Sequence, residues 1–325
     1  MPRTSGLLKN KSLVLLSGEG TTVPSAEARS LFLAYDPSSG FESPDPRVLL
    51  VRSKADPFTV GRRIAFARRV GTLLEDPSEA APLLKGHRIR FRCFDLCSGK
   101  GQPDASRYLE GVDAVVDLKN PEFEVTLVRG TEDYLAVTAP CAMLQAWSTR
   151  RPRGRAFFHP SAIFPKLSRA LFNLSGCKEG DVFLDPFAGT GSILLEAAIV
   201  GAKAVAVDQS ESMSRGALSN MKHFRQDWLG VIRADSTRIP LRSVDAVSTD
   251  IPYGRASSTR GRTPELLLDL ILPSLISITR PGSTLVIMHP QGLQVRGSGG
   301  VSLVEEHNLH VHKLLTRTIT ILKRS

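Results

Sequence analysis

Long hydrophobic runs are the first feature that this sequence lacks. The most apolar stretch, residues 266–278, is interrupted by Asp269 and Pro273. It falls short of the ~18 apolar residues that a membrane helix needs. Residues 1–10 contain no apolar segment of the kind found in secretory signal peptides. We therefore expect neither a membrane span nor a secretory leader.

Cysteine is also scarce. The chain has four cysteines among 325 residues, Cys93, Cys97, Cys141 and Cys177, and their spacing does not make a zinc ligand set. Scattered cysteines are typical of reduced, buried thiols in a cytosolic protein. The sequence therefore predicts a cytoplasmic protein without a metal site.

Two common phosphate-binding patterns are missing from the glycine-rich loop at 185–191. No Lys-Ser or Lys-Thr pair follows the loop, which excludes a P-loop, and Leu194 stands where the dinucleotide pattern has its third glycine. The loop opens with Asp185, whose charge repels phosphate and attracts an ammonium group. A cationic ligand is therefore favoured, and a strand-to-helix turn without a ligand is the alternative.

Negative charge is in short supply. The chain has 42 Lys and Arg against 32 Asp and Glu, a formal net charge of +10. Residues 1–150 carry +2 of this excess and residues 151–325 carry +8. Fixed positive charge attracts polyanions and speeds their encounter. Nucleic acid is therefore the favoured class of partner.

Composition and periodicity divide the chain into four predicted parts. These are a small α+β region (1–57), a second α+β domain (58–147), an Arg- and Pro-rich linker (148–156) and an α/β domain (157–325). Before the linker we predict strands at 12–16, 47–52, 88–94, 112–116 and 122–128, and a helix at 58–74. The last part alternates strands with helices, which predicts a parallel doubly wound sheet. It ends in an antiparallel hairpin formed by 301–312 and 316–323.

The predicted linker region carries the densest cluster of positive charge. Its arginines are Arg150, Arg151, Arg153 and Arg155. We predict that these side chains contact RNA phosphate groups. A solvated linker that binds nothing is the alternative.

Acidic residues end three successive predicted strands of the α/β domain: Asp185, Asp208 and Asp235. The carboxyl ends of parallel strands line one crevice, so these side chains should lie close together. Any one of them alone could be a solvated loop residue, but the set fits a nucleoside that carries positive charge and no phosphate. S-adenosylmethionine matches that description, with its ammonium group near Asp185, its ribose at Asp208 and its adenine edge near Asp235.

The fourth strand ends in Thr249-Asp250-Ile251-Pro252-Tyr253-Gly254-Arg255. This segment resembles the Asp-Pro-Pro-Tyr motif of amino-methyltransferases, which methylate exocyclic amines of nucleobases, although Ile251 replaces the first proline. A carboxylate and a backbone carbonyl can accept the two amine protons, and an aromatic ring can stack on the base. The candidate catalytic residues are therefore Asp250, Pro252 and Tyr253, and a simple β-turn is the alternative.

A wider set of motifs resembles one family. Phe157-Phe158-His159-Pro160-Ser161 precedes the Asp185 loop and the Asp250 tetrad, and Val116-Asp117-Leu118-Lys119-Asn120-Pro121 resembles the end of a THUMP domain, an RNA-binding module. Together they are similar to the archaeal tRNA guanine-10 N2-methyltransferases and their eukaryotic relatives. The resemblance covers residues 60–325 and is specific over 157–255.

The resemblance implies a class I methyltransferase domain, Rossmann-like with a seven-stranded sheet and a C-terminal antiparallel hairpin, preceded by an α+β THUMP-like region. It implies S-adenosylmethionine as cofactor, tRNA as partner, and methylation of a guanine N2 amine once or twice. The resemblance also implies that the segment at 158–161 helps to close the cofactor pocket. Without the resemblance, His159 would be interpreted as a packing residue. The candidate cofactor residues are Phe158, His159, Pro160, Asp185, Phe187, Gly189, Gly191, Asp208, Gln209, Asp235 and Ser236. Arg255 joins the four linker arginines as a candidate RNA contact.

Other functions stay open at this point. One alternative is an amino-methyltransferase that acts on another RNA or on DNA, and the THUMP-like half disfavours DNA. Another is a non-catalytic RNA-binding protein on a methyltransferase fold, which the presence of all four strand-end acids disfavours. We expect a monomer, and a small activator subunit, as among the eukaryotic relatives, is the alternative.

Overall fold

The structure is a computed structural model of the chain, and it describes residues 10–19, 22–97, 103–140, 147–252, 261–295, 299–312 and 315–325. The chain divides into two compact units. The first unit contains residues 1–19 and 31–146, and the second contains residues 20–30 and 147–325. Each unit is built on a sheet of its own.

An eight-stranded sheet forms the first unit. Its strands are β1 (Lys11–Leu16), β2 (Gly40–Asp45), β3 (Val48–Arg52), β4 (Ala67–Leu74), β5 (Arg88–Asp95), β6 (Val115–Val116), β7 (Phe123–Arg129) and β8 (Asp133–Pro140). Their spatial order is β2-β3-β1-β4-β8-β7-β5-β6, and only β5 pairs in parallel, with β6 and β7. Apolar residues of these strands, such as Leu13 on β1 and Val128 on β7, are fully buried.

In the described part of the chain, four helices accompany these strands: α1 (Val23–Tyr35), α2 (Pro57–Arg63), α3 (Ala80–Leu84) and α4 (Ser106–Leu109). A 3-10 turn, Pro77–Glu79, precedes α3. Sequence patterns did not predict α1. Its first eight residues, 23–30, belong to the second unit and its remaining residues to the first.

The helix predicted over residues 58–74 is wrong. Helix α2 begins where Asp56 accepts hydrogen bonds from the amides of Phe58 and Thr59, and it ends before Ile64, whose backbone is extended (φ −61°, ψ 134°). The rest of the segment is β4, which pairs with β1 and β8. Pairing with distant strands overrides the local helical pattern. Since β1 and β4 share one sheet, no domain boundary lies at residue 57.

The second unit contains a seven-stranded sheet. Its strands are β9 (Val182–Asp185), β10 (Lys203–Asp208), β11 (Gly230–Arg233), β12 (Val244–Asp250), β13 (Thr279–Pro290), β14 (Val301–His312) and β15 (Leu315–Arg324). Its long helices are α5 (Pro165–Leu174), α6 (Ser192–Val200), α7 (Glu211–His223) and α8 (Pro264–Ile278). The order is β11-β10-β9-β12-β13-β15-β14, with β15 antiparallel to both neighbours. The predicted doubly wound sheet with a C-terminal antiparallel hairpin is confirmed.

The linker predicted at 148–156 is also wrong. Two short 3-10 turns, Trp147–Arg150 and Pro152–Gly154, occupy this segment, and it belongs to the second unit. Arg150 and Arg155 are only 8% and 7% exposed.

Among the described residues, no helix combines the length and the apolar composition needed to cross a membrane.

Candidate active site

The carboxyl ends of β9, β10 and β12 meet at a cavity of about 390 Å³. Three strand-end acids, Asp185, Asp208 and Asp250, lie in its wall, as expected for neighbouring parallel strands. The other predicted residues in this wall are Pro160, Phe187, Gly189, Gln209 and Pro252. The fold therefore brings most of the candidate cofactor and catalytic residues to one place.

Asp185 is the most deeply buried acid of the cavity, at 2% exposure. Its Oδ1 accepts hydrogen bonds from the Thr249 hydroxyl (2.8 Å) and the Phe187 backbone amide (3.2 Å). Burial raises the pKa of Asp185 to about 7, and the charges of Asp208 and Asp250 act in the same direction. A cationic ligand group would offset both effects, which fits the predicted ammonium site.

Two glycines with positive φ shape the loop that follows Asp185. The φ values are +52° at Gly189 and +77° at Gly191, in a region that residues with a Cβ rarely adopt. A Cβ at Gly191 would lie 3.2 Å from the Cβ of Ala217 on α7. Gly191 is absent from the cavity wall, so its place in the structure is explained by the turn into α6 and by packing.

Asp208 presents a carboxylate whose orientation is set by backbone amides. The Gly189 amide donates to its Oδ2 (2.9 Å), and the Ser210 amide donates to its Oδ1 (2.8 Å). Burial raises the pKa of Asp208. Each carboxylate oxygen can accept more than one hydrogen bond. The geometry is therefore compatible with a ribose ligand, and that role stays a prediction.

Asp250 forms an ion pair that the sequence did not reveal. Its Oδ2 lies 2.7 Å from Nη1 of Arg317, and the two side chains are 16% and 15% exposed, respectively. Its Oδ1 is buried and has no hydrogen-bond partner within the described part of the chain. Burial raises the pKa of Asp250 to about 6, while Arg317 lowers it. A buried acceptor without a partner is unfavourable by about 1–3 kcal/mol, so this site favours a ligand with a donor group.

Asp235 and Ser236 lie outside the cavity wall. Asp235 accepts hydrogen bonds from the amide and hydroxyl of Thr237 and pairs with Arg262 at 3.4 Å. The backbone hydrogen bond from Thr237 is the main cause of its lowered pKa. The Ser236 hydroxyl donates to the Pro186 carbonyl, so it braces the glycine loop. The adenine contact assigned to Asp235 stays a prediction.

The predicted aromatic segment contributes to the cavity through its end rather than its beginning. Phe158 is 46% exposed, and His159 forms a local hydrogen bond with the Ser161 hydroxyl (2.7 Å). Neither Phe158 nor His159 lies in the cavity wall. Residues 160–163, at the end of this segment and just after it, contribute to the wall instead.

The structure corrects the RNA-binding prediction for Arg150 and Arg155. Arg150 donates from Nε and Nη2 to the buried carboxylate of Glu196, at 2.8 and 3.3 Å. Arg155 donates to the Arg150 carbonyl (3.1 Å), the Ser192 hydroxyl (2.6 Å) and the Ile163 carbonyl (3.2 Å). Buried guanidinium groups with these partners are not available to phosphate. They tie the cavity-wall segment to α6.

The remaining RNA and catalytic candidates have two different outcomes. Arg151 and Arg153 are exposed, and their contact with RNA stays a prediction. Tyr253 and Arg255 lie outside the described residues.

Several cavity residues were missed by sequence reasoning. They are Ala162, Ile163, Ala188, Thr190, Ser192, Ile193, Ser210, Met213, Ile251 and Arg317. Most adjoin a residue that was predicted, so the loop after each strand could have been included as a whole. Arg317 carries no such local signal, because it reaches the cavity from β15.

Comparison with known proteins identifies the family. A family model described as the RMKL-like methyltransferase domain matches residues 152–297. A tRNA (guanine(10)-N2)-dimethyltransferase from Methanothermobacter thermautotrophicus is 32% identical over 96% of this chain and 99% of its own length. The chain belongs to this tRNA (guanine(10)-N2)-dimethyltransferase family.

Two further comparisons show how far the likeness extends within and beyond this family. A tRNA (guanine(6)-N2)-methyltransferase from Thermus thermophilus is 29% identical over 53% of this chain and 51% of its own length. The crystal structure of TrmN from Thermus thermophilus has a TM-score of 0.52, with 20% identity and coverage of 97% of this chain and 100% of TrmN. The latter match shows a shared class I methyltransferase fold.

Proposed function

We propose that this protein transfers methyl groups from S-adenosylmethionine to the exocyclic N2 amine of a guanine in tRNA, with guanine 10 as the target and dimethylation as the end point. The family supports this reaction, and the relative matched over nearly its whole length is named for guanine 10. The observation that carries the proposal is the Asp250 carboxylate in the cavity wall, with one buried oxygen that lacks a partner among the described residues.

The residues of the cavity suit S-adenosylmethionine. The buried carboxylate of Asp185 and the half-buried carboxylate of Asp208 have raised pKa values, so a cationic ligand would stabilise their ionised forms. Ile193 and Met213 add apolar surface to the wall. When bound, the cofactor supplies an electrophilic methyl group on sulfur. We assign its ammonium group to Asp185 and its ribose hydroxyls to Asp208.

Asp250 is assigned to the substrate amine. The lone pair of guanine N2 is delocalised into the ring, which makes the amine a poor nucleophile. Oδ1 of Asp250 would accept one N–H, and a backbone carbonyl of the tetrad would accept the other. Methylation would leave the amine with a surplus proton, which the Asp250 carboxylate would accept. Alignment and charge complementarity then lower the barrier.

The tRNA would be bound by surfaces other than the cavity. We assign the first unit to tRNA binding, as the THUMP resemblance implies, and the exposed Arg151 and Arg153 to phosphate contacts. Guanine 10 is paired in folded tRNA, so it must leave its stack to reach Asp250. A tRNA substrate and the scattered cysteines support a location in the cytoplasm, and we assign the enzyme as a monomer.

Labelled methyl transfer to a tRNA transcript tests this proposal. The wild-type protein should label a transcript with guanine at position 10 and not one with adenine there, and nucleoside mapping should find N2-methylated guanine. Asp250→Asn should lower the rate at least about 100-fold, since an amide cannot take up the proton. Its affinity for S-adenosylmethionine should change by less than about threefold. Asp269→Asn, an exposed change on α8, is the matched control.

The same assay separates the alternatives. If the label is found at guanine 6 or in another RNA, the proposed target nucleotide is wrong and the proposed methylation reaction is retained. Calorimetry that detects no binding of S-adenosylmethionine would support the non-catalytic alternative and contradict the proposal.

A further inference from the structure

Arg317 lies in the cavity wall, and the proposed reaction assigns no role to it. It lies on β15, the antiparallel strand inserted between β13 and β14, where it pairs with Pro290 on one side and Leu309 on the other. Its guanidinium Nη1 reaches Oδ2 of Asp250 at 2.7 Å, across 67 residues of chain. The side chain is 15% exposed, so water screens this contact little.

The ion pair makes the two oxygens of Asp250 inequivalent. Oδ2 is held by the cation, while Oδ1 is buried without a hydrogen-bond partner among the residues that the structure describes. A carboxylate held at one oxygen cannot rotate freely about its Cβ–Cγ bond. The ion pair thus leaves Oδ1 as the oxygen available for an incoming donor.

The neighbours of Asp250 on other elements are mostly acidic or already bonded. Asp185 on β9 and Asp208 on β10 are the acids of the adjoining cavity wall. On β13, the ring of His289 bonds the Pro290 carbonyl (2.9 Å) and the Thr320 hydroxyl (2.8 Å), and burial lowers its pKa. Among the residues that the structure describes, Arg317 is therefore the cation that contacts the Asp250 carboxylate directly.

We infer that Arg317 is a positioning residue for methyl transfer, which fixes the Asp250 carboxylate through Oδ2 so that Oδ1 receives the guanine amine. This inference rests on the proposed function. The ion pair has a second consequence: it keeps Asp250 ionised at neutral pH. Without Arg317, the rise in the pKa of Asp250 that burial causes is unopposed, and a protonated Asp250 cannot accept the amine proton.

The test compares Arg317→Met and Arg317→Lys with Lys323→Met, which removes an exposed cation from the same strand. Loss of an opposite charge next to a carboxylate raises its pKa by about 1–3 units. We expect the acidic limb of kcat for Arg317→Met to move up by that amount, with a deficit of about 2-fold to 100-fold near pH 7 that shrinks near pH 9. Arg317→Lys should recover part of the rate, and Lys323→Met should match the wild type.

An unchanged rate of Arg317→Met would overturn the inference. A deficit that is equal at all pH values would overturn its second consequence, that Arg317 keeps Asp250 ionised. Cofactor affinity within about threefold of the wild type shows that the variant is folded. The carboxyl ¹³C signal of Asp250, assigned with Asp250→Asn, gives its pKa without any activity. A wild-type protein that does not methylate tRNA refutes the proposed function. In that case, the ion pair is also refuted if the pKa of Asp250 is the same in the wild type and in Arg317→Met. A higher pKa of Asp250 in Arg317→Met supports the ion pair.

Discussion

Replacing Arg155 by Met should weaken the protein and its cofactor site without changing how the protein binds RNA. The change removes three hydrogen bonds, to the carbonyls of Arg150 and Ile163 and to the Ser192 hydroxyl. Hydrogen bonds from a charged group contribute about 1.5–3 kcal/mol each. Ile163 and Ser192 both belong to the cavity wall, so the loss should also reach the cofactor.

The burial of the cation opposes this contribution in part. Burial lowers the pKa of Arg155 to about 10. Keeping a guanidinium charge away from water costs free energy, so the net loss is smaller than the sum of the three hydrogen bonds. We expect a net loss of about 2–4 kcal/mol in the free energy of unfolding, and a cofactor dissociation constant raised about tenfold.

Urea unfolding and calorimetry with S-adenosylmethionine measure these two quantities. The matched comparison is the double variant Arg151→Met, Arg153→Met, in which both changed residues are exposed. That variant should keep its stability within about 0.5 kcal/mol. If its arginines contact phosphates, the slope of log affinity for tRNA against log salt should flatten by about 1–2 units. The reasoning about Arg155 is refuted if Arg155→Met keeps wild-type stability and cofactor affinity, or if it flattens the salt slope.

Three further changes test the cavity and the glycine loop beside it. Asp208→Asn should weaken binding of S-adenosylmethionine by about 1–3 kcal/mol in calorimetry, because ribose hydroxyls lose a charged acceptor, and an unchanged affinity would rule out the ribose role. Because the pKa of Asp185 is raised to about 7, the folded apo-protein holds this proton more tightly than the unfolded chain. The resulting stability is complete below about pH 4 and is lost as pH rises through about 7. Cofactor affinity should rise over the same interval, and Asp185→Asn should flatten both profiles; persistent slopes would contradict the assignment. Gly191→Ala should lower the free energy of unfolding by about 1–3 kcal/mol, because the residue has a positive φ and its new Cβ would contact Ala217. Gly230→Ala should not, because a Cβ at that position meets open space. Equal effects of the two changes would show that the Gly191 conformation is not required.

Local sequence patterns determined the part of the site that follows from strand ends. The apolar strands that end at Asp185, Asp208 and Asp250 were visible as short periodic segments, and the glycines after Asp185 marked the turn into a helix. In a parallel sheet, side chains at these positions must meet at one edge. This is why the acids of the cavity could be placed without a structure, although Asp235, also at a strand end, turned out to bind Thr237 and Arg262 instead.

Only the tertiary structure decided which charged side chains are buried and with what partner. Arg150 and Arg155 looked like exposed linker residues, but the buried Glu196 and the carbonyls of the wall segment hold them inside the second unit. Likewise, β4 became a strand because β1 and β8 pair with it. Arg317 reaches Asp250 because β15 is inserted beside β13. Periodicity reports only on near neighbours in sequence, whereas these contacts join residues that are brought together by strand pairing and by the need of a buried charge for a partner.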